Sequence, residues 1–321
     1  MLYRFLKIYV RLAMFIICRR IRINKPAMLH KNGPLLLACN HPNSFLDAVI
    51  LLTLFGKPIY SLARGDVFKN KFYIRLLNTL MIHPVYRTSE GAENLNINYQ
   101  TFEICRTIFQ QNGIVLIFSE GRCINEWHLR PLKKGTARLA FLAWQNNIPL
   151  QVLSVGINYS SFRRFGKNLF INFGKIIHQN EFDLSETDGK RNQQFNKILE
   201  EELKKLVFEI EDNDKTRQKK LLEIKPGPAE KTFLFIPAVI GWLAHLPLYL
   251  PLKKITIKAS SNNDHYNSIL TSLLVFTYPV YLLLIAAVIF FFTKSPASFF
   301  ILLLMPFTAW AYMRLKGQLD K

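Results

Sequence analysis

LLLACNHPNSFLDAVILL, residues 35–52, sets the reading of this chain. An apolar strand runs into Asn40, His41 and a polar turn follow, and Asp47 opens an apolar helix. A His at the C-terminal edge of a strand can reach a ligand. An Asp one helical turn further on can take the proton of the other ring nitrogen, fix the tautomer and stabilise the imidazolium. Such a pair is a general base for a hydroxyl proton near neutral pH. A capping or packing His before a helix has the same local pattern, so spacing alone leaves both readings open.

The same strand–turn–helix unit recurs outward from this stretch. Short apolar runs at Leu35–Ala38, Ile59–Leu62, Ile82–Val85, Ile114–Phe118, Leu150–Val155 and Leu169–Phe173 read as strands. Helix-period stretches near 45–55, 69–80, 93–111, 135–146 and 192–211 separate them, and this alternation predicts a layered α/β catalytic domain over 31–211. Two further strand ends carry chemistry. IVLIFSEGRC (114–123) ends in Ser119, Glu120, Gly121 and Arg122, where an Arg can fork onto a phosphate and a Gly lets the backbone come close. A surface turn with a salt-bridged Glu120 is the other reading. IHPVYR (82–87) places Arg87 in the same kind of position. Parallel strand ends converge on one rim, where ligands sit. A base beside two arginines suits a phosphate-bearing alcohol.

The 321 residues are 50% hydrophobic with only 14 Gly and 15 Pro, which excludes a disordered or collagen-like chain. Four scattered Cys without C-x-x-C spacing exclude a disulfide scaffold and argue against a zinc site; no two His stand at i, i+4. The net charge is +20, and Arg4, Lys7, Arg11, Arg19, Arg20, Arg22, Lys25 and Lys31 all precede the first acid, Asp47. Such a basic face attracts nucleic acid or an anionic lipid surface, and the aliphatic content of the same stretch favours lipid. Residues 1–30 are therefore expected to form an amphipathic interfacial helix and basic segment, with Arg4, Lys7 and Arg11 on the phosphate side. Arg19, Arg20 and Arg22 stand where a signal peptide would need small residues.

Segment 212–231 is charged, contains Pro-Gly-Pro and reads as a linker. Residues 232–321 then form a membrane region with apolar blocks at 233–250, 269–293 and 298–313. Because the loop at 252–258 and the tail are both basic, the positive-inside rule favours a transmembrane hairpin of the last two blocks. Block 233–250 is then interfacial or re-entrant, and the catalytic domain lies on the cytoplasmic face.

Taken together, the motifs resemble the glycerolipid acyltransferase family, which includes glycerol-3-phosphate and 1-acylglycerol-3-phosphate acyltransferases. NHPNSFLD resembles its His-x4-Asp block, IHPVYR its second block and FSEGRC its Phe-Pro-Glu-Gly-Thr-Arg block, while IPLQVLSVG stands where the fourth falls. The resemblance runs from about 20 to 180. Five residues separate His41 from Asp47 rather than four, and Ser119 replaces a Pro. That spacing, with RPLKKGTARLAF, SVGINYSSF and LFINFGK, looks like the glycerol-3-phosphate/dihydroxyacetone-phosphate branch. The resemblance implies an αβ domain, an acyl-CoA or acyl-ACP donor as substrate, and no cofactor or metal. It makes His41 the base and Asp47 its partner, with Arg87, Glu120, Gly121 and Arg122 on the acceptor phosphate. Lys134 is a further candidate for substrate phosphate. The expected partners are membrane lipids, the acyl thioester and a phosphate-bearing glycerol acceptor, lysophosphatidate or glycerol-3-phosphate, and no nucleic acid. No G-x-S-x-G elbow or motif-bearing Cys calls for an acyl-enzyme. The alternatives are a non-phosphate lipid acceptor, or a basic membrane-anchored binding protein without catalysis.

Overall fold

A computed structural model describes residues 2–65, 68, 70–85 and 95–320. Helix α1 (Leu2–Ile17) runs straight into strand β1 (Cys18–Ile23). Then follow β2 (Leu35–Cys39), α2 (Phe45–Leu54), β3 (Ile59–Arg64), α3 (Lys71–Thr79), β4 (Ile82–Val85), α4 (Leu95–Gln110) and β5 (Ile114–Phe118). The domain continues through α5 (Gly135–Gln145), β6 (Gln151–Tyr159), β7 (Lys167–Ile177) and α6 (Asp188–Leu206). Seven strands make one sheet in the order β1-β7-β6-β2-β5-β3-β4. Pairing is parallel throughout except between β6 and β7. The fold is the α/β class the alternation predicts.

β2 lies in the middle, bonded to β5 and β6, and all five of its residues are fully buried. Its uninterrupted apolar run is what a strand covered on both faces requires. Leu35, Leu37 and Cys39 point into one core, with Ile17, Leu46 and Phe55; Leu36 and Ala38 point into the other, with Phe141, Trp144 and Phe195. Cys39 pairs with Phe118 on β5 and Val155 on β6, so the turns after β2 and β5 emerge side by side.

β1 is absent from the sequence expectation. CRRIRI lies within the expected basic segment, but from Arg20 onward arginine and isoleucine alternate, and as an edge strand on β7 it buries Arg19 at 2% exposure. Arg19 donates to the carbonyls of Ile224 and Arg314. The basic side of α1 is also partly turned inward: Lys7 Nζ bonds the Phe55 carbonyl at 2.7 Å, serving the carbonyl end of α2. Phe5, Ile8, Leu12 and Phe15 form an exposed apolar stripe on the same helix.

The charged segment expected as a linker folds as α7 (Lys215–Leu222), capped by the Asp214 carboxylate on the Arg217 N–H. Its lysines face solvent, but Gln218 and Leu222 are fully buried and Ile224 enters the core, because the segment carries its own apolar anchors. Three helices long and apolar enough to cross a membrane follow: α8 (Pro228–Ala259), α9 (Tyr266–Thr293), and α10 (Ile301–Leu315) with the 3-10 turn before it. α8 is continuous through Pro237, Pro247 and Pro251, with no break to mark a re-entrant turn. Its buried stripe of Leu234, Ala238, Gly241, Leu252 and Thr256 packs inward, while Phe233, Ile236, Ile240 and Leu243 are exposed. A Cβ on Gly241 would come within 2.1 Å of the Thr308 carbonyl oxygen, so α8 and α10 touch backbone to backbone there.

These helices share a core with the seven-stranded sheet. Leu252, Leu270 and Met313 belong to the same buried cluster as Cys18, Leu37 and Ile50. The first turn of α9 packs on the loop after β2, and the tail after α10 packs on the turn between β6 and β7. α9 therefore leaves the α/β domain and α10 returns to it.

Candidate active site

The site begins where β2 stops. The Asn40 side chain accepts from the Ile157 N–H at 2.7 Å and donates to the Ile157 carbonyl at 3.0 Å, clamping the end of β2 to β6. His41 emerges beyond this clamp. Ser44, held at φ 51°, donates its N–H to Cys123 Sγ at 2.8 Å and turns the chain into α2. Asp47 then falls in the first turn of α2, where the helix dipole favours a negative charge.

Asp47 is fully buried, and three donors converge on its carboxylate. Oδ2 faces His41 Nδ1 at 2.9 Å and accepts the Asn43 N–H at 2.8 Å; Oδ1 accepts the Tyr159 hydroxyl at 2.7 Å. A carboxylate that receives a ring N–H fixes the tautomer, so Nε2 is the nitrogen left with a lone pair. The His41 ring is stacked on Phe118, centroids 3.8 Å apart and planes 12° from parallel, and keeps 17% of its side chain exposed. Burial, then the charge of Asp47, raises the Tyr159 phenol well above its ordinary value, so Tyr159 stays a donor. Tyr159 itself is held by the Trp127 indole N–H on its carbonyl.

Glu120 has a different place from the one the resemblance implies. Its carboxylate is 5% exposed and both oxygens are used inside the protein: Oε2 accepts the His41 N–H at 2.8 Å, and Oε1 accepts the Arg130 N–H at 3.0 Å. It braces the main chain of His41 against that of Arg130. Burial pushes its carboxyl up to about 7, against the two N–H bonds.

Gly121, at φ 65°, turns the chain tightly after Glu120, and its N–H closes on the Phe118 carbonyl. A Cβ there would meet Lys133 Cγ at 3.0 Å. Arg122 follows it and is exposed. Lys134, also exposed, stands just before α5, and the preceding Lys133 N–H bonds the Ser119 carbonyl at 2.7 Å. The structure thus gathers His41, Asp47 and Glu120 into one bonded set, with Gly121, Arg122 and Lys134 on the adjoining turn system. Arg87 lies outside the described residues.

Sequence reasoning missed Asn43 and Tyr159, although both stand in quoted motifs, NHPNSFLD and SVGINYSSF. It also missed the ring of Phe118. Cys123, beside the turn, is an acceptor for Ser44, and burial followed by the charge of Asp47 pushes its thiol up, which disfavours the thiolate. Among the described residues, no group of three or more His, Cys, Asp or Glu could hold a metal ion.

Residues 20–158 match the protein family described as Acyltransferase. That span contains the His41–Asp47 turn and the Glu120–Arg122 turn, and it supports the acyltransferase likeness read from the motifs. No curated protein matches the chain. Among solved structures, the 1-acyl-sn-glycerophosphate acyltransferase PlsC from Thermotoga maritima is similar at 14% identity and a TM-score of 0.39, over 60% of this chain and 73% of that one.

Proposed function

Starting from the acyltransferase match over residues 20–158, we propose that the protein is a membrane-bound enzyme that moves a fatty acyl group from a thioester to a hydroxyl of a phosphate-bearing glycerol acceptor. The donor is acyl-CoA or acyl-ACP. The observation that carries this reading is the buried Asp47 carboxylate, held against His41 Nδ1 by two further donors, the Asn43 N–H and the Tyr159 hydroxyl. His41 Nε2 takes the acceptor hydroxyl proton as that oxygen attacks the thioester carbonyl. Asp47 stabilises the imidazolium that forms. The tetrahedral carbon expels the thiolate, which takes the proton from His41, so one C–O bond forms, one C–S bond breaks and one proton crosses from alcohol to thiol. General-base assistance of this kind contributes about 10²–10⁴-fold.

Arg122 and Lys134, exposed on the turn system next to the base, support an anionic head on the acceptor, with Arg87 as their third partner by resemblance. The three long apolar helices support a membrane location. The return of α10 to the catalytic domain supports a hairpin of α9 and α10 that places both basic ends on the catalytic, cytoplasmic side. The test is purified protein with radiolabelled acyl donor against a panel of glycerol acceptors, with and without phosphate. Transfer to a phosphate-bearing acceptor, abolished in His41→Ala, is expected. Wild-type turnover in a folded His41→Ala protein rules the mechanism out, and equal use of acceptors lacking phosphate rules out the acceptor class.

A further inference from the structure

We propose that Asn267, in the first turn of α9, is a positioning residue for the His41–Asp47 pair, so that the apolar hairpin is part of the catalytic apparatus as well as an anchor. The inference rests on the His41 mechanism above.

Two segments far apart in sequence reach Asp47. One is the loop after β2, through the Asn43 N–H; the other is the end of β6, through the Tyr159 hydroxyl. Asn267 is 2% exposed and ties both together. Its amide nitrogen donates to Asn43 Oδ1 at 3.2 Å and to the carbonyl of Phe162, three residues beyond Tyr159. The neighbouring Ser268 hydroxyl reaches the Asn43 carbonyl at 3.5 Å. A carboxamide has two N–H groups, and in this dry position each has an acceptor on a different segment. The other end of the hairpin holds the same turn: Asp320 accepts from the Ser161 hydroxyl at 2.6 Å and the Phe162 N–H at 3.2 Å. Asn43 is fully buried, so its side-chain oxygen takes its register from Asn267 and not from solvent. If the Asn267 amide is lost, Asn43 is free to shift, and with it the N–H that holds Asp47 against the imidazole. Displacements on the scale of an ångström at a catalytic group cost turnover steeply, while substrate contacts elsewhere are spared.

The test uses the full chain in phosphatidylglycerol vesicles, with kcat and both KM values measured for Asn267→Leu, Asn267→Gln, Ser268→Ala and His41→Ala. Asn267→Leu keeps the volume and removes the donors. The expected result is a fall in kcat of about tenfold with both KM values within about twofold. Asn267→Gln, which keeps a carboxamide, recovers part of the loss, and Ser268→Ala lowers kcat by about two- to threefold. Unchanged kcat in a folded Asn267→Leu protein overturns the proposal, as does a loss spread equally over kcat and both KM values. If Asn267→Leu does not fold, Ser268→Ala decides alone, and wild-type kcat there overturns the proposal. An active His41→Ala protein means that the mechanism itself has failed. An inactive one beside an unimpaired Asn267→Leu protein means that only this inference has.

Discussion

The two faces of the sheet are built differently. On one face, α4, α5 and α6 cover β2 with an ordinary apolar core, in which Phe141, Trp144, Phe182 and Phe195 form a knot of ring contacts 5.3 to 6.1 Å apart. On the other face, the cover is shared among α1, α2, α7 and the three apolar helices, and the buried polar groups of the site sit inside it: Asn43, Asp47, Tyr159 and Asn267. The first face holds the strands together by area removed from water. The second takes on buried hydrogen bonds that are costly unless every member is satisfied. Both faces carry an apolar core, and the contrast places the chemistry on only one of them.

The strongest way to break that contrast is Asp47→Asn. It keeps the shape but removes the anion that fixes the tautomer, and kcat is expected to fall by about 10²–10⁴ with the fold intact. Normal turnover in a folded variant defeats the division. On the opposite face, Phe195→Ala should cost about 3–5 kcal/mol of stability, measured by thermal or denaturant unfolding in detergent. Protein that remains folded should keep wild-type kcat; a specific loss of kcat means the faces are not separate. Tyr159→Phe sharpens the comparison, because it removes one of three donors to Asp47 without opening a cavity. A kcat loss of about tenfold, with KM unchanged, is expected. The smallest effect is a slope. Folding raises the Glu120 carboxyl from 4.5 to about 7, so the unfolded chain ionises first as pH rises and the native state falls behind. Wild type should therefore lose stability between pH 4.5 and 7 relative to Glu120→Gln, and the gap should hold constant above that window. Parallel stability curves contradict this.

The second face is also the one that sequence read least completely. The strands and the His41–Asp47 turn were legible because buried parallel strands are continuous apolar runs ended by polar turns. Leu36 needs no partner to be recognised as core. Tyr159 does need one: it meets Asp47 only through the pairing of β2 with β6, and no period within a single segment encodes a contact between residues 112 positions apart. Asn267 is harder still, since it lies at the head of an apolar block and reads as its polar rim. The bond of Glu120 to the His41 main chain was not legible either, because a carboxylate that accepts main-chain N–H groups looks in sequence like one that faces a ligand. β1 was hidden by charge. Three arginines in six residues suggest a solvated stretch, whereas the carbonyls that receive Arg19 come from positions 224 and 314.

Gln318 stitches three distant pieces of chain: its carboxamide oxygen takes the Ile224 N–H at 2.7 Å, its nitrogen donates to the Ile224 carbonyl at 2.9 Å, and its own carbonyl receives the Ser160 hydroxyl at 3.1 Å. During synthesis, those partners emerge long before it does. The bonds of Gln318 to Ile224 and Ser160 can therefore close only after α9 and α10 have been made, so these two helices complete the α/β domain rather than being added to a finished one.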